Sequence, residues 1–371
     1  MRIERIVITG DVFRTTRGDA NQLSNVRWLR GELSRVLYEL TGLLPDIRYR
    51  RNETDVGHAI IAEWYHLLGY SPSLETWAAT FGETAPPRAL IDEMRPDYER
   101  ALVVGFELSP LMRSVLDSIG ASWVNVGVSP IRFLDDLALA LSFSWSVEVT
   151  HPGLVSLDQV RDAVARTRAR HLHDTTASDL RGACIFLAQT QHDRTLIKDG
   201  GFFRDGEAVE RVARALDGRA LVLKPHPLAP DNPLLSTLAQ RFRARTTGAN
   251  IYAVLATATD VRFLTISSSA GIEARHFGHT AEMFHPAAHA DLGLTASLWA
   301  HRSAAFWRSA LRPIMWLRPD AEFECRTTTD RLRRILGSWG MAPSVTHSGQ
   351  VRVHGHPFPR EAIEGSPQWP K

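Results

Sequence analysis

The sequence is poor in lysine and cysteine, and both shortages narrow the classes of protein to consider. Only three of its 43 basic side chains are lysines, Lys198, Lys224 and Lys371, and the rest are arginines. These bases are nearly balanced by 41 acidic side chains, so the net charge of +2 gives no electrostatic reason to expect a nucleic-acid partner. Two cysteines cannot form a disulfide framework, and we expect Cys184, which lies in an apolar run, to be a buried thiol.

Long hydrophobic runs are absent as well. No stretch approaches the roughly 20 apolar residues that span a bilayer. The amino-terminal residues have the pattern of a first β-strand, and a signal peptide would need a longer apolar region. We therefore expect a cytoplasmic protein, and peripheral association with the inner face of the cytoplasmic membrane stays open.

Short β-branched runs alternate with longer helical patterns along the chain, which predicts an α/β fold. A length of 371 residues favours two domains, and a polar linker after the arginine-rich helical stretch indicates the boundary. We predict an amino-terminal acceptor-side domain over 1–178, a nucleotide-sugar-binding domain over 179–340 and a tail over 341–371. Ligands bind doubly wound sheets beyond the carboxyl ends of the strands, so the loops that follow the strands are the first places to look for a site.

The first such loop contains Gln189 and Asp193, directly after the apolar strand that includes Cys184. A carboxylate at a strand end serves as a nucleophile, as a base or as the cap of the helix that follows. The residues of this loop alone do not decide among the three roles.

The second loop has the sequence Lys-Pro-His-Pro, in which Lys224 and His226 follow a predicted strand. The prolines fix the backbone on both sides of the histidine. A stiffly held imidazole beside a cation suits a phosphate or another anionic leaving group. The alternative is a histidine packed in an ordinary turn.

The third loop carries the three serines Ser267, Ser268 and Ser269, and a predicted helix follows them. The free N–H groups and positive dipole end of a helix attract anions, and serine hydroxyls add donors. Glu273, within the first turns of that helix, is placed to reach a ribose diol. Capping of the helix by one serine, and a favourable position of Glu273 in the helix dipole, are the structural alternatives.

Two carboxylates of the amino-terminal half, Asp11 and Glu107, also follow predicted strands, and they are candidates for an acceptor site or a base. The 15 histidines do not form a persuasive metal motif: Pro286 interrupts the pair formed by His285 and His289. No glycine-rich phosphate loop is present, which argues against nicotinamide enzymes and P-loop NTPases.

Taken together, the Gln-x-x-x-Asp, Lys-Pro-His-Pro and Ser-Ser-Ser-Ala-Gly-Ile-Glu-Ala motifs resemble those of bacterial capsule-polysaccharide and lipopolysaccharide glycosyltransferases that use CMP-sugars, above all the retaining β-Kdo transferases. The resemblance covers about a third of the chain. It implies a GT-B fold, in which two Rossmann-like domains face a central cleft. It also implies a CMP-Kdo donor, a glycan or glycolipid acceptor, and no requirement for a cofactor or metal.

The same resemblance implies a role for each motif. Asp193 would form a glycosyl-enzyme in a double displacement, and His226, Ser268 and Ser269 would bind the CMP phosphate. A further set of residues is expected around the donor: Gln189, Arg194, Lys224, Ser267 and Glu273. Arg194 is a candidate for binding a sugar carboxylate. The alternatives are a CDP-polyol phosphotransferase of the teichoic-acid type, an inverting sialyltransferase-like enzyme and a non-catalytic glycan-binding subunit.

Overall fold

Twelve α-helices and thirteen β-strands alternate along the described part of the chain, which confirms the predicted α/β class. The computed structural model describes residues 2–15, 20–49, 55–227, 229–290 and 293–324. The predicted tail, 341–371, lies outside these residues, as does Cys325. Cys184 is fully buried, as predicted.

A first sheet of six strands is built mainly from the amino-terminal half. Its strands are β1 (Arg5–Gly10), β2 (Asp46–Ile47), β3 (Ala101–Phe106), β4 (Ser122–Val128), β5 (Ala138–Phe143) and β13 (Leu294–Ser297). The spatial order is β13-β5-β4-β3-β1-β2, and β2, β1, β3 and β4 run parallel. Every residue of β3 is buried, which is typical of a parallel strand covered on both faces.

Helices cover this sheet because each has one apolar face. They are α1 (Ala20–Thr41), α2 (Asp55–Leu67), α3 (Leu74–Thr80), α4 (Arg88–Tyr98) and α5 (Pro110–Ile119). In α1 the apolar stripe from Val26 to Leu40 is buried. The start and end of α5 follow from its sequence: Ser109 caps the first turn, and Gly120, at φ 82°, ends the helix in a left-handed conformation.

A second sheet of five strands lies in the carboxyl-terminal half, and all of its strands are parallel. They are β6 (Cys184–Leu187), β9 (Leu221–Lys224), β10 (Arg245–Thr246), β11 (Arg262–Thr265) and β12 (Thr280–Met283). A small hairpin of β7 (Ile197–Lys198) and β8 (Gly201–Phe202) follows β6. The helices are α6 (Leu157–Arg170), α7 (Asp205–Ala215), α8 (Pro233–Phe242), α9 (Ile251–Thr257) and α10 (Ser269–His276).

The strand order of the second sheet, β10-β9-β6-β11-β12, locates a crevice. Its first strand, β6, is central. The chain adds β9 and β10 on one side of β6, and then crosses to add β11 and β12 on the other. The order therefore reverses between β6 and β11, and the loops that follow these two strands diverge there. Such a reversal is where open α/β sheets bind ligands.

The chain returns to the first sheet after β12. Strand β13 pairs antiparallel with β5, and α11 (Leu298–His301) and α12 (Ala304–Leu311) follow it. Trp307 of α12 is fully buried in the core of the first sheet, and Arg302 forms an ion pair with Glu32 of α1. Residues 294–311, which the sequence assigned to a unit of 179–340, thus share a sheet and a core with residues of 1–178.

Helix α6 is a second element that does not follow the predicted domain boundary, here because a segment of 1–178 packs on the second half. It lies within 1–178, yet it packs on α9 and α10 of the second half. Its buried residues Val160, Ala163 and Val164 belong to the same cluster as Phe263 and Phe277. The apolar stripe of this arginine-rich helix therefore faces the second sheet.

Among the described helices, none combines the length and the hydropathy needed to cross a bilayer.

Candidate active site

The candidate site lies where the loops after β6, β9 and β11 meet at the carboxyl edge of the second sheet. Gln189 fastens two of these loops together. Its side-chain Nε2 donates to the Ser267 hydroxyl at 2.8 Å and to Thr195 Oγ1 at 3.2 Å, and its Oε1 accepts from the Ser267 backbone N–H at 3.0 Å. Both Gln189 and Ser267 are buried. These two residues, predicted to contact the donor, hold the loops of the site in position.

Asp193 stands at the tip of the first loop. Its Oδ1 accepts hydrogen bonds from the Thr195 backbone N–H at 2.9 Å and the Thr195 hydroxyl at 3.0 Å, so it caps the 3₁₀ turn Arg194–Leu196. Within the described residues, Oδ2 accepts no hydrogen bond. Burial opposes the ionised form, but the bonds from Thr195 and the charges of Arg14 and Arg194 outweigh it and lower the pKa of Asp193. The capping role and a free, ionised carboxylate oxygen therefore coexist in this residue.

His226 lies on the second loop, within electrostatic reach of Asp193, Lys224 and Arg132. Burial is the main cause that lowers the pKa of its imidazole to about 4; the charges of Arg132 and Lys224 act in the same direction, and that of Asp193 opposes them. The imidazole is therefore neutral at pH 7 and contributes a hydrogen bond, not a charge. Lys224 is partly buried, and burial lowers the pKa of its ammonium group.

Ser268 and Ser269 stand at the amino end of α10. Ser268 occupies the cap position, yet its hydroxyl makes no capping hydrogen bond, and its backbone N–H donates to Thr265 Oγ1 at 3.0 Å. Over the described ranges, neither hydroxyl has a hydrogen-bond partner, and both residues are partly exposed. The capping alternative thus fails for Ser268, and two unused donors remain at the helix end.

Glu107 and two arginines form a network on the side of the first sheet. Glu107 follows β3 with φ 52°, in the left-handed region that side chains other than glycine seldom adopt. Its carboxylate lies 3.7 Å from Arg14 and 3.7 Å from Arg194. Since Arg14 and Arg194 also act on Asp193, the two carboxylates share the same pair of cations.

His289 is a further residue of the site, which the sequence suggested only as one of a histidine pair that Pro286 interrupts. Its Nε2 lies 2.7 Å from the Ser267 carbonyl oxygen, and a carbonyl only accepts, so this nitrogen carries the proton. Burial lowers the pKa of the ring, and the hydrogen bond to Ser267 opposes this shift. The neutral ring therefore has an unprotonated Nδ1. Arg194, Arg132 and Asp193 are its charged neighbours.

Arg14 and Arg132 were not singled out either, since each is one arginine among 40 and lies far from the motifs in sequence. Arg132 comes from the loop between β4 and β5, and Arg14 from the loop after β1. The one signal that could have identified these two arginines as site residues is that both lie in loops that follow strands.

Glu273 does not lie where the sequence placed it. It is 2% exposed, and its Oε1 accepts from the Arg132 backbone N–H at 2.8 Å and from the Tyr252 hydroxyl at 3.1 Å. These partners differ from the predicted nucleotide contact, because α10 presents this side chain to the loop between β4 and β5. Glu273 thereby ties that loop, and with it Arg132, to the helix whose amino end faces the site.

Glu273 should give the protein a measurable pH dependence of stability. Burial raises the pKa of its carboxyl to about 7 from 4.5, so the folded protein binds a proton that the unfolded chain releases. The stabilisation by this proton is complete below pH 4.5 and is lost as the pH rises through 7. We expect Glu273→Gln, which mimics the protonated side chain, to gain on the order of 3 kcal/mol relative to wild type across this window.

Denaturant unfolding of both proteins between pH 4 and pH 8 measures this difference in unfolding free energy. The control is Glu282→Gln, a substitution at an exposed glutamate of β12, for which we expect no such trend. A constant difference between wild type and Glu273→Gln over the whole range would contradict the prediction.

Asp11, predicted as an acceptor-site residue or base, has a structural position. It is 2% exposed, its Oδ2 accepts from the Trp77 indole N–H at 2.9 Å, and its Oδ1 accepts from the Ser109 hydroxyl at 2.8 Å. Burial raises the pKa of this carboxyl, against the effect of these bonds. The carboxylate joins β1, α3 and the start of α5 instead of facing a substrate.

Replacement of Asp11 by alanine should therefore destabilise the fold. The substitution leaves the indole N–H of Trp77 and the hydroxyl of Ser109 buried without their acceptor, which costs roughly 1–3 kcal/mol of unfolding free energy. Chemical denaturation measures this loss, and Glu93→Ala, at an exposed position of α4, should change the value by less than about 0.5 kcal/mol. Equal stabilities of the two variants would show that Asp11 is not a structural residue.

The site does not have the composition of a metal centre. Over the ranges that the structure describes, no group of three or more histidine, cysteine, aspartate or glutamate side chains is arranged to hold a metal ion. The side chains around Asp193 and His226 are mainly cationic: Arg14, Arg132, Arg194 and Lys224. Such surroundings suit an anionic ligand.

No protein-family model and no curated protein matches this chain. Among solved structures, it is similar to the KpsC beta Kdo 2,7 transferase of Thermosulfurimonas dismutans, with 13% sequence identity and a TM-score of 0.30. The similarity covers 53% of this chain and 69% of that chain. A TM-score this low does not establish a shared fold, so a functional assignment has to stand on the geometry of the site.

Proposed function

We propose that this protein is a glycosyltransferase of the GT-B type that transfers Kdo, or a related 2-keto sugar acid, from a CMP donor to a surface-polysaccharide glycan with retention of configuration. One observation carries the proposal: Asp193 is ionised, its Oδ2 accepts no hydrogen bond within the described residues, and cationic side chains act both on it and on the nearby His226. The loop of Asp193 is bonded through Thr195 to Ser267, which precedes the helix end with its two unused serine hydroxyls. These groups would together supply a nucleophile, an anion site and a site for a sugar carboxylate.

The CMP phosphate would bind between His226, Lys224 and the amino end of α10. The neutral imidazole of His226 and the hydroxyls of Ser268 and Ser269 donate hydrogen bonds, while Lys224 and Arg132 supply positive charge. A helix terminus adds N–H groups and the positive end of its dipole. Arg194, shared by Asp193 and Glu107, would bind the carboxylate of the sugar acid.

Transfer would proceed by two displacements at the anomeric carbon. In the first, Asp193 Oδ2 forms a bond to this carbon, the bond to the phosphate oxygen breaks, and the electron pair leaves with CMP. In the second, the acceptor hydroxyl forms the new glycosidic bond, the ester to Asp193 breaks, and the hydroxyl proton passes to a base. The unprotonated Nδ1 of His289 supports the assignment of that base, and Glu107 is the second candidate. Two inversions give net retention.

Charge stabilisation of the leaving CMP requires no metal in this scheme, because Lys224, Arg132 and the helix end take over the developing charge. We expect transfer to persist when divalent cations are removed with EDTA. Action at the inner face of the cytoplasmic membrane, on a glycan or glycolipid acceptor, belongs to the same proposal.

The test is a comparison of two donors. Incubation with CMP-Kdo should release CMP and, with an acceptor present, yield a product with retained β configuration, whereas CDP-glycerol should remain intact. CMP release from CDP-glycerol alone would identify a polyol phosphotransferase, which attacks at phosphorus. An inverted product would exclude the covalent intermediate. Tight CMP binding without turnover of either donor would indicate a non-catalytic binding subunit.

A further inference from the structure

A cavity lies beside the loop of Asp193, and none of the roles above uses it. It is a cavity of about 230 Å³ between β6, the β7–β8 hairpin and the beginnings of α7 and α8. Pockets for drug-sized ligands measure roughly 300–1,000 Å³, so this one has room for a single small ring. The cavity and Asp193 share one loop, because Gln191 and His192 line the cavity and Asp193 follows them directly.

The floor of the cavity is apolar and one wall is aromatic. Buried apolar side chains, such as Leu196 and Ile266, form the floor. Phe202 forms the wall, with its ring 5.6 Å from that of His192 and 6.0 Å from that of Trp77, measured between centroids. Trp77 belongs to α3, one of the helices that cover the first sheet. The aromatic wall of the cavity therefore lies next to a residue of the amino-terminal half of the chain.

A hydrogen-bonded partition separates the cavity from the anion site. Gln189 bonds to Ser267 and Thr195 through its side chain, and its carbonyl oxygen accepts from Asn232 Nδ2 at 3.1 Å. These bonds close the gap between the loops after β6, β9 and β11.

The rim carries polar groups that have no partner among the described residues: the amide of Gln191 and the carboxylate of Asp205. Both residues are largely exposed at the mouth of the cavity. The apolar surroundings nevertheless raise the pKa of the Asp205 carboxyl. Among the described residues that line the cavity there is no lysine or arginine, and Asp205 brings the one formal charge, which is negative.

We infer that this cavity binds one uncharged sugar ring of the acceptor glycan, with the apolar face of the ring against Phe202 and its hydroxyls bonded to Gln191 and Asp205. The inference rests on the proposed function. A small ring with an apolar face and several hydroxyls matches an aromatic wall, an amide and a carboxylate. The negative charge of Asp205 disfavours the sugar acid and the phosphate of the donor, which fit the cationic site across the partition.

The experiment uses ligand-observed NMR with the full-length protein and two sets of probes. The neutral probes are the methyl glycosides of glucose, galactose, ribose and N-acetylglucosamine, and the anionic probes are free Kdo and CMP. We compare wild type with Gln191→Ala/Asp205→Ala and with the control Gln240→Ala/Glu210→Ala, whose positions are exposed on α8 and α7 outside the cavity. Thermal unfolding establishes that both variants are folded.

We expect at least one neutral glycoside to bind wild type and the control equally, and the cavity variant at least about tenfold more weakly, because hydrogen bonds to a charged group are lost. CMP should bind all three proteins alike. Failure of every neutral glycoside to bind, or equal binding to the cavity variant, would overturn the inference while CMP binding still supports the donor site. If wild type does not bind CMP, the proposed function itself is refuted.

Discussion

Replacement of Asp193 by asparagine is expected to abolish sugar transfer while CMP binding stays within a few-fold of the wild-type value. Asparagine keeps an oxygen that accepts from the Thr195 backbone N–H, so the 3₁₀ turn that Asp193 caps should persist. It lacks the ionised oxygen that would attack the anomeric carbon. Removal of a nucleophile commonly costs several orders of magnitude in kcat, and we expect a loss on the order of 10⁴-fold or more.

Two measurements make this prediction specific to a covalent mechanism. Intact-protein mass spectrometry after brief exposure to CMP-Kdo should detect the mass of one sugar on wild type and none on Asp193→Asn. The control, Asp199→Asn, alters an exposed aspartate six residues further along the chain and should retain full activity. Transfer by Asp193→Asn at the wild-type rate would eliminate Asp193 as the nucleophile.

Replacement of Lys224 by methionine is expected to lower kcat for transfer by roughly 10²–10³-fold, the usual effect of removing one group that stabilises developing charge. Methionine fills a similar volume, and the partly buried ammonium group has no ion pair among the described residues that its removal would disrupt. Charge develops on the phosphate oxygen as the bond to the sugar breaks. The loss should therefore fall mainly on kcat, with a smaller change in KM.

The matched control is Lys198→Met, at the only other lysine that the structure describes. Lys198 pairs with Glu207 at 3.2 Å, so its loss should leave kcat within about twofold and cost at most about 1 kcal/mol of stability. Initial rates over a range of CMP-Kdo concentrations give both parameters. Equal kcat for the two variants would exclude Lys224 from the stabilisation of the leaving group.

Much of the fold was predictable from the sequence because its signals are local. The parallel strands β3, β6 and β11 are short apolar runs, and the stripe on α1 repeats with helical spacing. Strand β13 was not predicted, since its four residues, Leu-Thr-Ala-Ser, lack a run of that kind. Its position depends on pairing with β5, more than 150 residues earlier, and local periodicity does not encode such a contact.

The residues of the candidate site likewise fall into those with a local sequence signal and those whose position depends on long-range packing. The loop residues Asp193, His226 and Ser268 come together because parallel strands end at one edge of a sheet, which the sequence pattern already indicated. The burial of Glu273 and Asp11 could not be foreseen, because the sequence does not show which loop packs against a given helix face. The contribution of Arg132 depends on the same long-range packing, since Glu273 binds its backbone N–H.

The return of the chain to the first sheet also sets an order of assembly during synthesis on the ribosome. All strands of the second sheet lie between residues 184 and 283, so this sheet has its complete set of strands before β13 leaves the ribosome. The first sheet starts earlier but finishes later, because α12 covers α1 only after residue 311 has been made. Until β13 has been made, β5 is an open edge strand, which is a place where nascent chains aggregate. The half of the molecule that is synthesised first is thus completed last.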